Sequence, residues 1–463
     1  MSPDATSAGT ATRTISRASH ASHGSQSRAA LEYGYPCGHL GHLTADEEDA
    51  FDKFKVLLQE HGLYKQGPPA SHDDSTLLRY LRARRWAVED AYKQFKETEE
   101  WRKNIQLDVL YDSIDVEAYE QSRRLYPQWT GRRDKRGIPV YLFEIRHLDS
   151  KTISAYEKAA DKTYSKASPP ASSLPAKGLV RLFALYENLT RFAQPLCTQL
   201  TDREHARTPI TLSTNIVDVS GVSLRQFWNL KGHMQAASQL ATAHYPETLD
   251  RIFIIGAPAF FSTVWGWVKR WFDPVTVSKI FILSHSEVLP TLNTFIAKEN
   301  IPKQYGGALE FTWGDMPKLD HKIQELATWE KGFTEFPKGP VYWKKIDDGK
   351  RMECVAVGTV DKKDRNVRVC TIPVAFADDD DDDEDEEVPA ATNGALGVPE
   401  TTATDATSPG TEADEFKTPL GSPLATETEA LQNLTLKDAG EKVIVEKLDG
   451  SEAIPNGKPA TAA

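Results

Sequence analysis

The chain runs to 463 residues, 40% hydrophobic and 26% charged, enough for one large domain or several smaller ones. Its formal charge of −12 is uneven: residues 378–387 are ten consecutive carboxylates, and residues 388–463 hold twelve acids against five bases, which leaves about +5 on residues 1–377. A mildly basic body suits an anionic surface, and four cysteines without CxxC spacing argue against a zinc site and a disulfide framework and for a reducing, cytosolic setting.

In chain order, residues 1–44 are rich in Ser and Arg and too poor in apolar residues for an amphipathic stripe, so they read as disordered rather than as a transit peptide. Residues 45–105 read as a helical lobe. In its "DDSTLLRYLRARRW", Leu77, Leu78, Tyr80, Leu81 and Trp86 form an apolar stripe with Arg79, Arg82, Arg84 and Arg85 beside it, and Asp73 or Asp74 as N-cap. Arginines beside aromatics also suit nucleic acid, but no RRM or KH pattern accompanies them, and a solvated helix face is the commoner origin.

From about residue 120 strands alternate with helices. Residues 138–145, 210–219, 251–256 and 278–284 read as buried strands, and 178–194, 224–244, 261–271 and 287–298 as helices. That alternation predicts an α/β domain with a largely parallel sheet. The Pro/Ser-rich stretch 165–178 is expected to be a surface loop. Residues 252–268 are uncharged, yet they fall short of a membrane span and are interrupted by Gly256 and Pro258. A strand, a turn and an amphipathic helix explain them better, so no membrane crossing is expected.

In that helix Phe261, Val264, Trp265, Val268, Trp271 and Phe272 share one stripe. Trp267 falls off it, beside Lys269 and Arg270. An interfacial helix, with indoles at headgroup level and cations on anionic lipid, is one reading, and a core helix with one exposed tryptophan is the other. Residues 313–376 read as an extension containing a β-hairpin, and 377–463 as a disordered acidic tail. Ser408, Thr418 and Ser422 each precede proline there; a solvated tail is the plain reading, and phosphorylation that weakens membrane contact the alternative.

Catalytic signals are weak. "CTQLTDR" places Cys197 and Arg203 at phosphatase-loop spacing, but it lacks glycine and carries Asp202, which would repel a phosphate. No HExxH, GxSxG or GxxxxGKS occurs, and the histidines show no ligand spacing. No enzyme, metal site or cofactor is expected.

"DDSTLLRYLRARRW", "YPQW", "RGIPVY", "HYPETLDRIFIIGAP", "DPVTVSKIFIL" and "ENIPKQYGG" follow one another in this order. Together they resemble the CRAL-TRIO lipid-binding family, most of all its fungal secretory phosphatidylinositol/phosphatidylcholine transfer proteins, over roughly residues 45–312. The resemblance implies a helical N-terminal lobe, then a CRAL-TRIO domain over 115–312 whose sheet floors a hydrophobic pocket for one phospholipid, closed by a gating helix. It assigns the phosphatidylinositol headgroup to Arg84, Arg85, Asp134, Glu247, Thr276 and Lys279. Basic side chains and Thr276 suit the phosphodiester, and Glu247 and Asp134 accept from inositol hydroxyls. A second headgroup falls to Tyr141, Tyr186 and Ser213. Thr130 and Asn215 stand where the family pattern has tyrosine and threonine, which puts phosphatidylcholine in doubt as that second ligand.

The gate and membrane contact would be Phe261, Trp265, Trp267, Val268, Lys269, Arg270, Trp271 and Phe272. The expected partners are phosphatidylinositol, a second lipid and a transient membrane surface, without nucleic acid. The resemblance further implies a cytoplasmic monomer, peripheral on Golgi or endosomal membranes, that transfers lipid for phosphoinositide signalling and secretion. The alternatives are a carrier or sensor of another hydrophobic cargo (a sterol-like lipid or haem) and a protein-interaction module.

Overall fold

The computed structural model describes residues 34–160, 162–170, 179–271 and 277–377. The disorder expected of residues 1–44 does not hold for 34–44: Tyr35 and His39 are buried there, and Tyr35 OH accepts from Arg203 Nη1 at 2.7 Å. Residues 1–33, and 378–463 of the tail expected to be disordered, lie outside the described residues, as do the Ser-Pro and Thr-Pro sites. Three helices open the fold: α1 (Ala45–Glu60), α2 (Asp74–Ala83) and α3 (Val88–Asn104). Thr44 and Glu47 close a capping box on α1, and the Asp73 carboxylate accepts from Thr76 N at 2.8 Å to start α2. Their apolar stripes meet in one cluster around Phe54, Leu58, Leu77, Leu81 and Phe95. Short helices α4 (Leu107–Ser113) and α5 (Val116–Arg123) lead on to the sheet.

The central sheet has the order β1-β2-β3-β4-β5, with β1 (Gln128–Arg133), β2 (Pro139–Glu144), β3 (Ser213–Asp218), β4 (Leu249–Ile255) and β5 (Ile280–Leu283). Only the β1–β2 pair is antiparallel. Parallel neighbours need crossovers. From β2 to β3 these are α6 (Ser150–Ala160) and α7 (Leu179–Asn188), which continues through a π turn at Leu189–Ala193 into Gln194–Thr198. Helix α8 (Leu224–His244) links β3 to β4, and α9 (Phe261–Val268) with the 3-10 turn Lys269–Trp271 leads from β4 towards β5. Helix α10 (Val288–Phe295) follows. Among the described residues no helix is long and apolar enough to cross a membrane.

The period-two alternation of strands gives the sheet two faces. On one, Val140, Leu142, Ile216, Phe253, Ile255, Phe281 and Leu283 are buried against Val288, Leu292 and Ile296. The other carries two rows across the ladder, Tyr141–Asn215–Ile252–Ile280 and Phe143–Val217–Ile254–Ile282.

The extension is part of the same packed body. Helix α11 (His321–Leu326) precedes β6 (Thr328–Trp329), β7 (Val341–Ile346), β8 (Arg351–Ala356), β9 (Thr359–Val360), β10 (Lys363–Asp364) and β11 (Val367–Pro373). The hairpin strands read from sequence are β8 and β11, the middle pair of a four-stranded antiparallel sheet β6-β11-β8-β7, and β9 and β10 form a ribbon at their turn. Phe336, Val341, Met352, Cys354 and Val369 pack with Trp129, Tyr141, Phe192 and Leu196. The link also covers the open edge of β1: Lys318 N donates to Thr130 O and Asp320 N to Gly131 O, both at 2.9 Å. A Cβ on Gly131 would meet Lys318 main-chain atoms at 2.6 Å, and its φ is +85°, so glycine is required there. Arg133 binds Asp202 at 2.7 Å and Asp320 at 2.9 Å, tying the seam with a buried guanidinium.

Candidate lipid-binding site

The second sheet face is the candidate floor. Ile254 and Val219 are buried, but Val217, Ile252, Ile280 and Ile282 are only partly so. Aliphatic side chains on a central sheet ordinarily close against a helix layer. Here Phe227 of α8 and Phe261 and Trp265 of α9 join the same cluster from above. The Phe261 and Trp265 rings lie 6.4 Å apart, one helical turn from each other, which is the stripe read from sequence. The result is an apolar trough with a sheet beneath it and two helices over it.

Helix α9 begins after a sharp reversal. Gly256 has φ +69°, and a Cβ there would collide with Ser220 Oγ, so this turn also needs glycine. Lys269 and Arg270, at the far end, are exposed. The side chains of Trp267, Val268 and Trp271, and all of Phe272 and Thr276, lie outside the described residues.

Of the residues assigned to the inositol headgroup, the fold brings Glu247 and Lys279 together. Lys279 Nζ lies 3.1 Å from Glu247 Oε2 and donates to Leu249 O at 3.2 Å. Arg84 and Arg85 form the exposed turn after α2. Arg84 Nε donates to Gln94 Oε1 at 2.9 Å, and Gln94 Nε2 donates to Ala243 O at 2.9 Å, four residues before Glu247. Trp101 stacks on His244 with centroids 3.9 Å apart, so the helical lobe is seated on the "HYPE" segment.

Asp134 stands apart from this group. It accepts from Arg136 N (2.8 Å), Ile138 N (3.0 Å) and Thr214 Oγ1 (3.1 Å), and it pairs with the Arg136 guanidinium at 3.1 Å. Burial raises its carboxyl pKa against the pull of Arg136.

Two basic residues outside the assigned set, Arg79 and Arg82, join this group. Arg79 is 6% exposed, and its Nε and Nη1, like Arg82 Nε, are buried without a hydrogen-bond partner. Arg82 donates to Gly38 O at 3.0 Å and Thr211 Oγ1 at 3.3 Å, and burial lowers its pKa to about 10 even in the field of Glu247. His39 is pushed down to about 2 by burial and by the charges of Arg82 and Lys279. A cationic group of Arg79, Arg82 and Lys279 with one carboxylate suits an anionic headgroup with hydroxyls. The signal was present in the sequence as arginines three apart on one helix face.

The three residues assigned to the second headgroup occupy different settings. Tyr141 lines a cavity of about 60 Å3 with Tyr119, Trp129, Phe192 and Phe336. Tyr186 stacks on Tyr245 at 4.7 Å, and burial raises its pKa to about 12. Ser213 donates to Thr248 O and accepts from Asn215 Nδ2, both at 3.0 Å. Thr130 Oγ1 donates to Val140 O at 3.0 Å. The extension thus lies over the Tyr141 end of the sheet. The "CTQLTDR" segment is a packed corner: Cys197 is fully buried, and burial raises its thiol pKa to about 12, the reverse of an activated nucleophile.

Residues 50–97 match the CRAL/TRIO N-terminal domain and residues 123–307 the CRAL/TRIO domain. The chain is 32% identical to the SEC14 cytosolic factor of Kluyveromyces lactis over 273 residues, 59% of this chain and 82% of that protein. It is 29% identical to the Sec14 cytosolic factor of Schizosaccharomyces pombe over 272 residues, 59% of this chain and 86% of that one. The phosphatidylinositol/phosphatidylcholine transfer protein SFH7 of Arabidopsis thaliana is 30% identical over 273 residues, 57% of this chain and 44% of SFH7. With both domains matched in order on the expected fold, this chain belongs to the CRAL/TRIO family.

Proposed function

We propose that the protein is a lipid carrier. It holds one phospholipid with its acyl chains along the trough of β3, β4 and β5 and its headgroup at Lys279, Glu247 and the arginines of α2. The observation that carries this is the patch of Val217, Ile252, Ile280 and Ile282, left partly open under α8 and α9. The preferred cargo is phosphatidylinositol, because cations for a phosphodiester and an acceptor for ring hydroxyls lie side by side. The name of the Arabidopsis relative supports the same class.

A phospholipid buries about 30 apolar carbons, so at roughly 0.8 kcal/mol per CH₂ its release into water would cost on the order of 20 kcal/mol. Exchange therefore takes place at a bilayer. Helix α9 opens there, pivoting at Gly256–Pro258, with Trp267, Lys269 and Arg270 at the membrane. Asp134 serves this site indirectly, by shaping the turn beside β3. A second lipid shares the trough, and exchange of the two at Golgi or endosomal membranes presents phosphatidylinositol for signalling and secretion. Mass spectrometry of lipid that copurifies with the full chain tests the reading. Bound phosphatidylinositol, lost in Lys279→Ala while a second lipid stays, is the expected result; a protein that purifies without lipid refutes it.

A further inference from the structure

Residues 219–246 and 251–272 contain no aspartate or glutamate, in a chain that has 67 of them among 463 residues. These stretches include α8 and α9, and the fold places them side by side. Phe227 of α8 shares a cluster with Phe261 and Trp265, and the Lys269–Trp271 turn lies against α8. Two acid-free segments that are separate in sequence are thus brought together.

Its outer side is apolar where a soluble helix would be polar. Leu224 and Trp228, one turn apart on α8, are 49% and 57% exposed. Among the described residues, the other large apolar side chains that open are valines, Val56, Val109, Val360 and Val367, spread over α1, α4, β9 and β11. Lys231 Nζ sits 5.2 Å from the Trp228 ring centroid, Arg225 is exposed next to Leu224, and Lys269 and Arg270 are exposed on the turn that lies against α8.

This end of α8 is held firmly. Gln226 Nε2 donates to Ile145 O, Arg146 O and Leu148 O at 3.1 to 3.3 Å, and Asn229 Nδ2 donates to Ser150 Oγ at 2.8 Å. Tyr126 OH and His233 Nε2 lie 2.6 Å apart in a hydrogen bond, and Leu230 is buried.

We infer that the outer face of α8 is a fixed platform on which the protein docks to an anionic bilayer. Leu224 and Trp228 enter the headgroup layer, and Arg225, Lys231, Lys269 and Arg270 face the lipid charge. This rests on the carrier reading and adds a division of labour, in which α8 anchors and α9 moves. A protein partner fits the surface less well, because specific protein interfaces set charges of both signs against each other. A membrane is uniformly anionic, so carboxylates in the contact are unfavourable, and α8 and α9 supply none.

Cosedimentation of the full chain with vesicles of phosphatidylcholine containing 30% phosphatidylserine, and with phosphatidylcholine alone, tests it. The wild type is expected to favour the anionic vesicles. Trp228→Ala should lower partition roughly tenfold and Lys231→Glu about fivefold or more, the latter only on anionic vesicles. Val360→Ser, a control elsewhere, should change nothing. Trp228 is exposed and Lys231 half-buried, and unchanged melting and copurifying lipid confirm intact folding and loading. Unchanged partition in both, no wild-type preference for anionic vesicles, or loss of a protein partner alone would each overturn the platform. Lipid-free protein that still shows the variant effects would sink the carrier reading and leave the platform standing.

Discussion

The two faces of the central sheet draw on the same aliphatic and aromatic residues and are finished differently. Beneath α10, Phe253, Phe281 and Leu283 are closed off. Beneath α8 and α9, Ile252, Ile280 and Ile282 keep part of their surface open. In composition the strands are near-continuous apolar runs that do not tell one face from the other. What separates them is the cover. Helix α10 packs its stripe directly onto the strands, whereas on the other side α9 spans only eight residues and Ile252, Ile280 and Ile282 stay partly open. Stability and cargo capacity are thereby assigned to opposite sides of one sheet.

Substitutions can break or sharpen this contrast. The largest effect is expected on the closed face: Phe253→Ala should destabilise by about 3–5 kcal/mol in denaturant unfolding, and a loss under about 1 kcal/mol would mean that the face is not the core it is taken to be. Acid gives a second test at the end of α8, where burial and the Arg102 charge depress the His244 pKa to about 4. The folded state therefore binds fewer protons than the unfolded chain below about pH 6.5. Stability from this histidine is complete above that pH and is lost as pH falls from about 6.5 to 4, by roughly 1.4 kcal/mol per pH unit. His39 adds loss in the same direction, continuing to about 2. His244→Gln should flatten the upper part of the slope, and hydrogen exchange should rise in α8 before β4 if the open side yields first. The smallest stability effect is expected on the open face, where Ile282→Ala should cost only about 1 kcal/mol yet reduce copurifying lipid. A cost equal to that of Phe253→Ala would erase the distinction between the faces.

Much of the architecture was legible in the residues. Strand-helix alternation from residue 120, the N-cap at Asp73 and the Phe261–Trp265 stripe all appear where the pattern put them. Each depends on neighbours within a turn or two of the chain, and hydrophobic period and capping chemistry report such neighbours directly. The hairpin of the extension was readable for the same reason, while its flanking strands β6 and β7 are short or polar and gave no clear alternation. The candidate headgroup site was legible in part. "YPE" and "TVSK" name Glu247 and Lys279, and the fold pairs them.

Other placements required the tertiary structure. Sequence order alone does not reveal that Arg82 sits in the field of Glu247 while Arg84 and Arg85 form the exposed turn. Nor does it show that Asp134 spends its acceptors on Arg136, Thr214 and its own turn, or that the extension covers the edge of β1. Composition and periodicity by themselves determined which segments are helix, strand or acidic tail, because those states follow from local backbone geometry and burial pattern. Which face of the sheet stays open, and which two acid-free segments meet beside it, was decided only by the parallel crossovers. They bring together side chains dozens of residues apart, and no local period records that distance.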